Sequence, residues 1–423
     1  MGEPAPLALI DCNNFYVSCE RAFNRRLEGV PVLVLSNNDG CAIARSEEVK
    51  ALGVKMGEPA FKIRPLIEKH GIRVFSSNYV LYGDMSRRVN EVLGQFSPET
   101  EVYSIDETFL DLSGFGNRDL WAYGQEMRSA VRRWTGIPTC VGIGPTKTLA
   151  KLANAVAKKN PTFGGVCDLT DPAVRYAVLR AFHVSDVWGI GAATTRKLLG
   201  LGVTTAGALC DLDTALARQV GTVVLERIVR ELQGVPCLEL ELVAPARKGM
   251  AVTRSFGQPM TELARVLEAS AMYASRAAEK LRLHGLVAGQ LTAFLHTNPH
   301  KPGPRHHGAR STRLQPMTDD TRDLVSAARR CIEAVWRDGF SYVKAGVILD
   351  DLRESRDAPA TLFDAPRPKA AALMGAMDSL NARYGRHTVF PAAMGIDRPW
   401  KLKADHHSPR YTTRLSDVPI VRA

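Results

Sequence analysis

The chain opens on a short apolar run at 7–10 that stops at Asp11, the pattern of a buried strand closed by an acid. Polar Cys12-Asn13-Asn14 follows, and helical spacing begins at Phe15. Apolar blocks at 32–35 and 41–44 flank Ser36-Asn37-Asn38-Asp39-Gly40, whose turn chemistry predicts a hairpin. Gly- and Pro-containing pieces continue to about Asn78. A helix is predicted over 84–95. Two strands, 102–105 and 108–112, are predicted on either side of Asp106-Glu107. The pattern then predicts a helix over 119–134, a strand over 140–143, a helix over 146–159 and a strand over 166–169. This alternation gives an α/β or α+β core, interrupted after its first strand by an insertion near 20–80.

Residues 172–234 read as short helices, with Gly189-Ile190-Gly191 between two of them, and 236–247 has no period and reads as a linker. The segment 248–350 predicts strands near 251–256, 288–296, 310–315 and 343–349, with helices over 262–283 and 320–338. The stretch 296–310, with four histidines and three prolines, is a predicted loop. The last ~70 residues carry one helix near 369–384. No repeat of solenoid period is present.

Composition narrows the class. A length of 423 residues exceeds one ordinary core, so two to four domains are expected. No apolar run approaches the ~18–20 residues of a membrane span, and no secretion signal is read at the N-terminus, so a cytoplasmic protein with no membrane partner is expected. The eight cysteines form no CxxC pair, which predicts reduced thiols rather than a zinc site or a disulfide framework. The net charge of +11 is unevenly placed. Residues 247–344 hold 16 Lys/Arg against 8 Asp/Glu, whereas residues 1–167 hold 20 against 18. A basic module beside a near-neutral one suits a polyanion grip joined to a separate reaction centre, although a solubilising face has the same composition.

The candidate chemistry is carried by Asp11 and Asp106-Glu107. Neighbouring side chains in a strand point to opposite faces, so Asp106 and Glu107 serve one centre only if the strand breaks between them. Asp-Glu is not a favoured hairpin turn, and a local sequence that contradicts its turn marks a functional site. Converging carboxylates repel unless cations lie among them, and Mg²⁺ takes such oxygens together with substrate phosphates. Two such ions about 3.5–4 Å apart serve in-line phosphoryl transfer. Taken singly, an acid at a strand end is more often only solvated. The helix predicted over 146–159 places Lys147, Lys151 and Lys158 on one face, readable as a solvated stripe or as a grip for phosphates beside the acids.

The sequence around these acids resembles the Y family of lesion-bypass DNA polymerases. Leu9-Ile10-Asp11-Cys12-Asn13-Asn14-Phe15-Tyr16, with Ser18-Cys19-Glu20, resembles the family's first motif, and Tyr103-Ser104-Ile105-Asp106-Glu107 its second. Ser36-Asn37-Asn38-Asp39-Gly40-Cys41, Ala42-Ile43-Ala44-Arg45 and Ser408-Pro409-Arg410-Tyr411-Thr412-Thr413-Arg414 resemble the UmuC branch, which supplies catalytic subunits of bacterial DNA polymerase V. The resemblance covers essentially the whole chain.

It implies an α+β multidomain right hand: palm 1–20 and 84–167, small fingers 21–83, helical thumb 168–240 with a helix–hairpin–helix, a βαββαβ-like little finger 247–352 that binds DNA, and a C-terminal extension 353–423. It implies error-prone, template-directed addition of dNTPs to a primer 3′-hydroxyl in the SOS response. Two Mg²⁺ ions would be held by Asp11, Asp106 and Glu107, with the Cys12 carbonyl as a backbone ligand. Phe15 and Tyr16 would lie under the incoming sugar, Tyr16 as the steric gate, with core packing the competing reading and the preferred one for Phe15.

Family members carry a Tyr and an Arg in the insertion, where this chain has Glu47 and Lys50; Lys50, Arg45 and Lys158 are the triphosphate candidates. Lys147, Lys151, Gly189, Gly191, Arg254 and Ser255 are the DNA candidates. The expected partners are primer–template DNA, dNTP, a UmuD′-like dimer and a RecA filament. A sliding clamp stays open, because 359–363 keeps a Leu-Phe ending but has Pro359 at the usual Gln position. A non-catalytic DNA-binding scaffold with the same fold is the alternative. A nucleotide cyclase, a third possibility, needs no duplex grip and is disfavoured by the basic module.

Overall fold

A computed structural model describes residues 5–243, 245–359, 369–400 and 402–420. Two compact units emerge. One holds the described residues of 1–36, 40–244 and 406–423, and the other those of 37–39 and 245–405. The segment expected as a single extension, 353–423, is thus divided between them. No helix among the described residues is long and apolar enough to cross a membrane.

The first unit is built on a five-stranded sheet ordered Thr100–Val102, Glu107–Asp111, Leu7–Cys12, Thr139–Gly144, Val166–Asp168. All neighbours are antiparallel except the last pair. Its middle strands are apolar on both faces because both are covered. Ala8 and Ile10 join the cluster formed with helices Phe15–Phe23, Tyr79–Leu93 and Leu120–Thr135. Leu9 and Phe109 pack with Ala150 of helix Lys147–Lys159 on the other side. That helix lies unusually close to the sheet. A Cβ at Gly142 would stand 2.1 Å from the Asn154 nitrogen and 2.2 Å from the Ala150 oxygen, so only glycine fits.

The insertion contains a three-stranded sheet in which Val32–Leu35 pairs antiparallel with Ala42–Arg45, as the hairpin pattern predicts, and parallel with Arg73–Ser76. Helices Glu47–Ala51 and Ala60–His70 and the third strand have no counterpart in the sequence reading. The first helix is one turn capped by Ser46, and the second carries Pro65 in its interior, which disguises its period. After the sheet come the short helices of 172–232.

The second unit is a βαββαβ layer. Strands Gly249–Met260, Leu286–Thr297, His307–Thr318 and Tyr342–Glu354 form an antiparallel sheet ordered third, second, fourth, first, with helices Leu263–Leu283 and Thr321–Val335 packed on one face. The strands run longer at their ends than the hydrophobic pattern predicts. Helix Ala370–Tyr384 belongs to the same unit, tied down by the Arg282 guanidinium on Asp378 at 2.7 Å and 2.8 Å.

Candidate active site

Asp11 and Glu107 are direct cross-strand partners in the five-stranded sheet. Opposite residues of an antiparallel pair project to one face, here the face carrying helix Lys147–Lys159. Strand Glu107–Asp111 begins at Glu107, so the break anticipated between the strands covers 103–106 and leaves only Asp106 in the turn. Ser104 organises that turn. Its hydroxyl donates to Asp106 Oδ1 at 2.6 Å and accepts from the Asp106 and Glu107 amides at 3.3 Å and 3.1 Å. The Cys12 amide donates to the Asp106 carbonyl at 2.9 Å, stapling the turn to the end of the first strand. Ser104 was not singled out from the sequence; its position two residues before an acid in a turn is the only signal.

The carboxylates are neutralised by the helix above them. Lys158 Nζ stands 2.5 Å from Asp11 Oδ2, and Lys151 Nζ stands 2.8 Å from Glu107 Oε1. Burial pushes the Asp11 carboxyl up to about 6 against the pull of Lys158, and the charges of Glu107 and Asp106 add to the rise. A clustered carboxylate that resists ionisation is a site short of positive charge, and its hard oxygen donors suit a divalent cation of the Mg²⁺ type. With the lysines engaged, no group of three or more His, Cys, Asp or Glu among the described residues stands ready as a metal cage.

A cavity of about 310 Å³ opens in front of the acids. It brings together Asp11, Cys12, Phe15, Tyr16, Arg45, Lys50, Asp106 and Lys158 from the sequence-derived candidates. Phe15 is buried in the core and Tyr16 is half-buried. Tyr16 stacks on Tyr82 with ring centroids 4.5 Å apart and planes 14° apart. The Arg45 guanidinium donates to the Val54 carbonyl at 2.6 Å, while its buried Nε has no partner. Lys50 is paired at 2.8 Å with Glu47, which also accepts from Asn14 at 3.0 Å. The residue at the Tyr position therefore now holds the neighbouring cation.

Two of the DNA candidates are turned inward, toward acids of the sheet. Lys147 is 5% exposed and ion-paired with buried Glu101, so it is a core charge and not a phosphate contact. Lys151 is committed to Glu107 and lies 4.2 Å from the Tyr103 ring centroid and 5.1 Å from that of Trp188. The three lysines do share a face, but it is the face turned to the acidic sheet. Gly189 is explained by its own core: φ is +87°, and a Cβ would meet Ile228 Cδ1 at 2.8 Å. Gly191 precedes helix Ala192–Gly200 with open space around it. Arg254 and Ser255 are both exposed on strand Gly249–Met260. Arg254 has the parity of buried Val252 and Phe256, so it and Ser255 face opposite sides of the sheet. Residues 360–363 of the clamp-like peptide lie outside the described residues.

Comparison with known proteins identifies the family. The impB/mucB/samB family model matches residues 10–155, its C-terminal domain model matches 247–362, and a domain of unknown function matches 371–421. Protein UmuC of Salmonella typhimurium is 46% identical over 97% of this chain and 99% of its own length. Protein ImpB of Salmonella typhimurium is 44% identical over 98% of this chain and 99% of its own. DNA polymerase IV of Moorella thermoacetica is 29% identical over 91% and 95%. The solved Y-family polymerase chimera Dbh-Dpo4-Dbh shares the fold, with a TM-score of 0.66 at 18% identity over 82% of this chain and 98% of its own.

The relatives and the fold together define a Y-family DNA polymerase, the class that copies past lesions. Within that class, the chain belongs to the impB/mucB/samB family and is of the UmuC type.

Proposed function

We propose that Asp11, Asp106 and Glu107 are the catalytic carboxylates of this polymerase and hold two Mg²⁺ ions, with the Cys12 carbonyl as an added ligand. The observation that carries this reading is the cross-strand pairing of Asp11 with Glu107 beside the Asp106 turn, with Asp11 and Asp106 lining the cavity. Such ions, when bound, neutralise the attacking and leaving oxygens of phosphoryl transfer. The chain's own residues do the rest. Asp11 and Glu107 orient the site from a rigid sheet, and Ser104 fixes Asp106. Lys158 exchanges Asp11 for the triphosphate, joined by Lys50 as a point charge and by the Arg45 guanidinium, both lining the cavity. The Tyr16 ring fills the space that a ribose 2′-hydroxyl needs and so selects dNTP.

The chain works on primer–template DNA in the SOS response, with a UmuD′-like dimer and a RecA filament as partners; membership of the UmuC type supports this. Primer extension across an abasic site tests the reading, with and without those partners. Asp106→Ala is expected to bind DNA normally and to lose extension by more than about 10³-fold. Wild-type DNA binding without any extension, even with partners present, would instead favour the non-catalytic scaffold. Tyr16→Ala is expected to admit rNTPs, read as the ratio of rNTP to dNTP insertion.

A further inference from the structure

The last segment of the first unit, from His406 onward, returns to the back of the nucleotide cavity. His406 and Ser76 exchange hydrogen bonds at 3.0 Å, amide to hydroxyl and amide to carbonyl. Asn78 caps helix Tyr79–Leu93 through Oδ1, while its amide donates to the Ser408 hydroxyl at 2.9 Å and to the Ser408 and Pro409 carbonyls at 3.2 Å and 3.1 Å. Tyr411 stacks on Phe23, centroids 4.8 Å apart. Thus anchored, the Ser408 hydroxyl donates to Glu20 Oε1 at 2.9 Å. The same oxygen accepts the Tyr82 phenol at 2.7 Å.

Glu20, Tyr82 and Asn78 are at most 1% exposed, and Ser408 is 5% exposed. Glu20 has no Lys or Arg partner among the described residues; burial lifts its carboxyl to about 6 against these two hydrogen bonds. Burying a carboxylate without a cation is costly, and the two hydrogen bonds to Oε1 offset part of that cost. The ring held by this network is the one on which Tyr16 stacks.

We propose that Ser408 is a positioning residue for sugar selection: it fixes Glu20, Glu20 fixes the Tyr82 phenol, and the Tyr82 ring sets the plane of Tyr16. This rests on the reading of Tyr16 as the gate. It gives the terminal part of the 371–421 domain a role in the polymerase site. A hydroxyl serves because it reaches the buried Glu20 Oε1 as a neutral donor at 2.9 Å. The hydroxyl of threonine serves likewise, and alanine does not.

The test is single-nucleotide insertion opposite an undamaged template by the full chain with Mg²⁺, any partner subunits held constant, giving kcat/KM for matched dNTP and rNTP. Ser408→Ala and Tyr82→Phe are expected to raise the rNTP-to-dNTP ratio about 3- to 10-fold, with dNTP insertion within about twofold of wild type. Ser408→Thr is expected to restore the ratio. Should Ser408→Ala not fold, Tyr82→Phe carries the test, since it keeps the ring and loses only the phenol. A ratio that moves in Tyr16→Ala but in neither of these variants overturns the proposal alone. Parallel loss of dNTP and rNTP insertion, or no rescue by threonine, also overturns it. A ratio unmoved by Tyr16→Ala removes the gate and this proposal with it, while leaving the assignment of the carboxylates standing.

Discussion

Glu101 lies 6% exposed in the core, with Lys147 on one of its oxygens and the Glu241 amide on the same oxygen at 2.8 Å. Removing one partner of a buried pair strands the other charge, a cost of about 3–5 kcal/mol, whereas replacing both with apolar groups is often neutral. Lys147→Met is therefore expected to lower stability by that amount in a denaturant titration. The double change with Glu101→Leu is expected to recover most of it, leaving DNA affinity unmoved throughout. A weakened DNA complex at unchanged stability would restore Lys147 to the DNA interface. Glu20 gives a pH signature. Its carboxyl rises from the ordinary 4.5 to about 6, so folding favours the protonated form. That stabilisation is complete below about 4.5 and is lost as pH rises through about 6, roughly 2 kcal/mol in all. Glu20→Gln should remove this dependence, so wild type is expected to lose stability relative to Glu20→Gln between pH 4.5 and 7. Parallel stability curves would contradict it.

At the level of elements, helix Lys147–Lys159 matters most, because it delivers Lys151 and Lys158 to the acids across a gap only glycine permits. Gly142→Ala drives a methyl into helix backbone that cannot yield, so destabilisation beyond about 3 kcal/mol is expected by thermal or chemical melting. Gly191→Ala, in open space at φ −85°, is expected to change stability by less than about 1 kcal/mol. Equal effects at the two glycines would refute the close-packing argument. This helix also marks how far the sequence could be read. Its period, its length and the common face of its lysines were legible, since they depend on local spacing. Which way that face points was not, because it is set by register with acids on strands elsewhere in the chain. The same holds for Tyr82: nothing local in helix Tyr79–Leu93 distinguishes it, and its place under Tyr16 comes from packing between two helices. Asp11 and the Asp106 turn were legible because each stands at a strand end with unusual flanking residues. The start of the second strand at Glu107 follows from pairing with the first strand.

Over the whole molecule, the positive charge is concentrated where the sheet of the second unit lies, with 16 Lys/Arg against 8 Asp/Glu in 247–344. Several of these cations are already committed inside the unit: Arg282 to Asp378, Arg276 to Glu279 and Arg322 to Asp320. The cations on the long strands, Arg254, Arg310, Arg313 and Lys344, have no salt bridge among the described residues. A polymerase must accept any template, so its grip has to be phosphate-directed and blind to sequence. If about six phosphates are neutralised, affinity for primer–template DNA should fall about 10³-fold between 50 and 200 mM salt, as counterion release requires. Fluorescence anisotropy across a salt series checks this. Arg254→Ala is expected to weaken binding alike on every template sequence and to reduce the slope of log K against log salt by about 1. Because Arg254 and Ser255 face opposite sides of the sheet, Ser255→Ala should leave the slope unchanged if Arg254 lowers it. A slope that is steep but indifferent to Arg254→Ala would assign the phosphate contacts to other cations, whereas a slope that is shallow in wild type would place the DNA grip on the first unit, where charge is nearly balanced and affinity would have to come from contacts other than phosphate neutralisation.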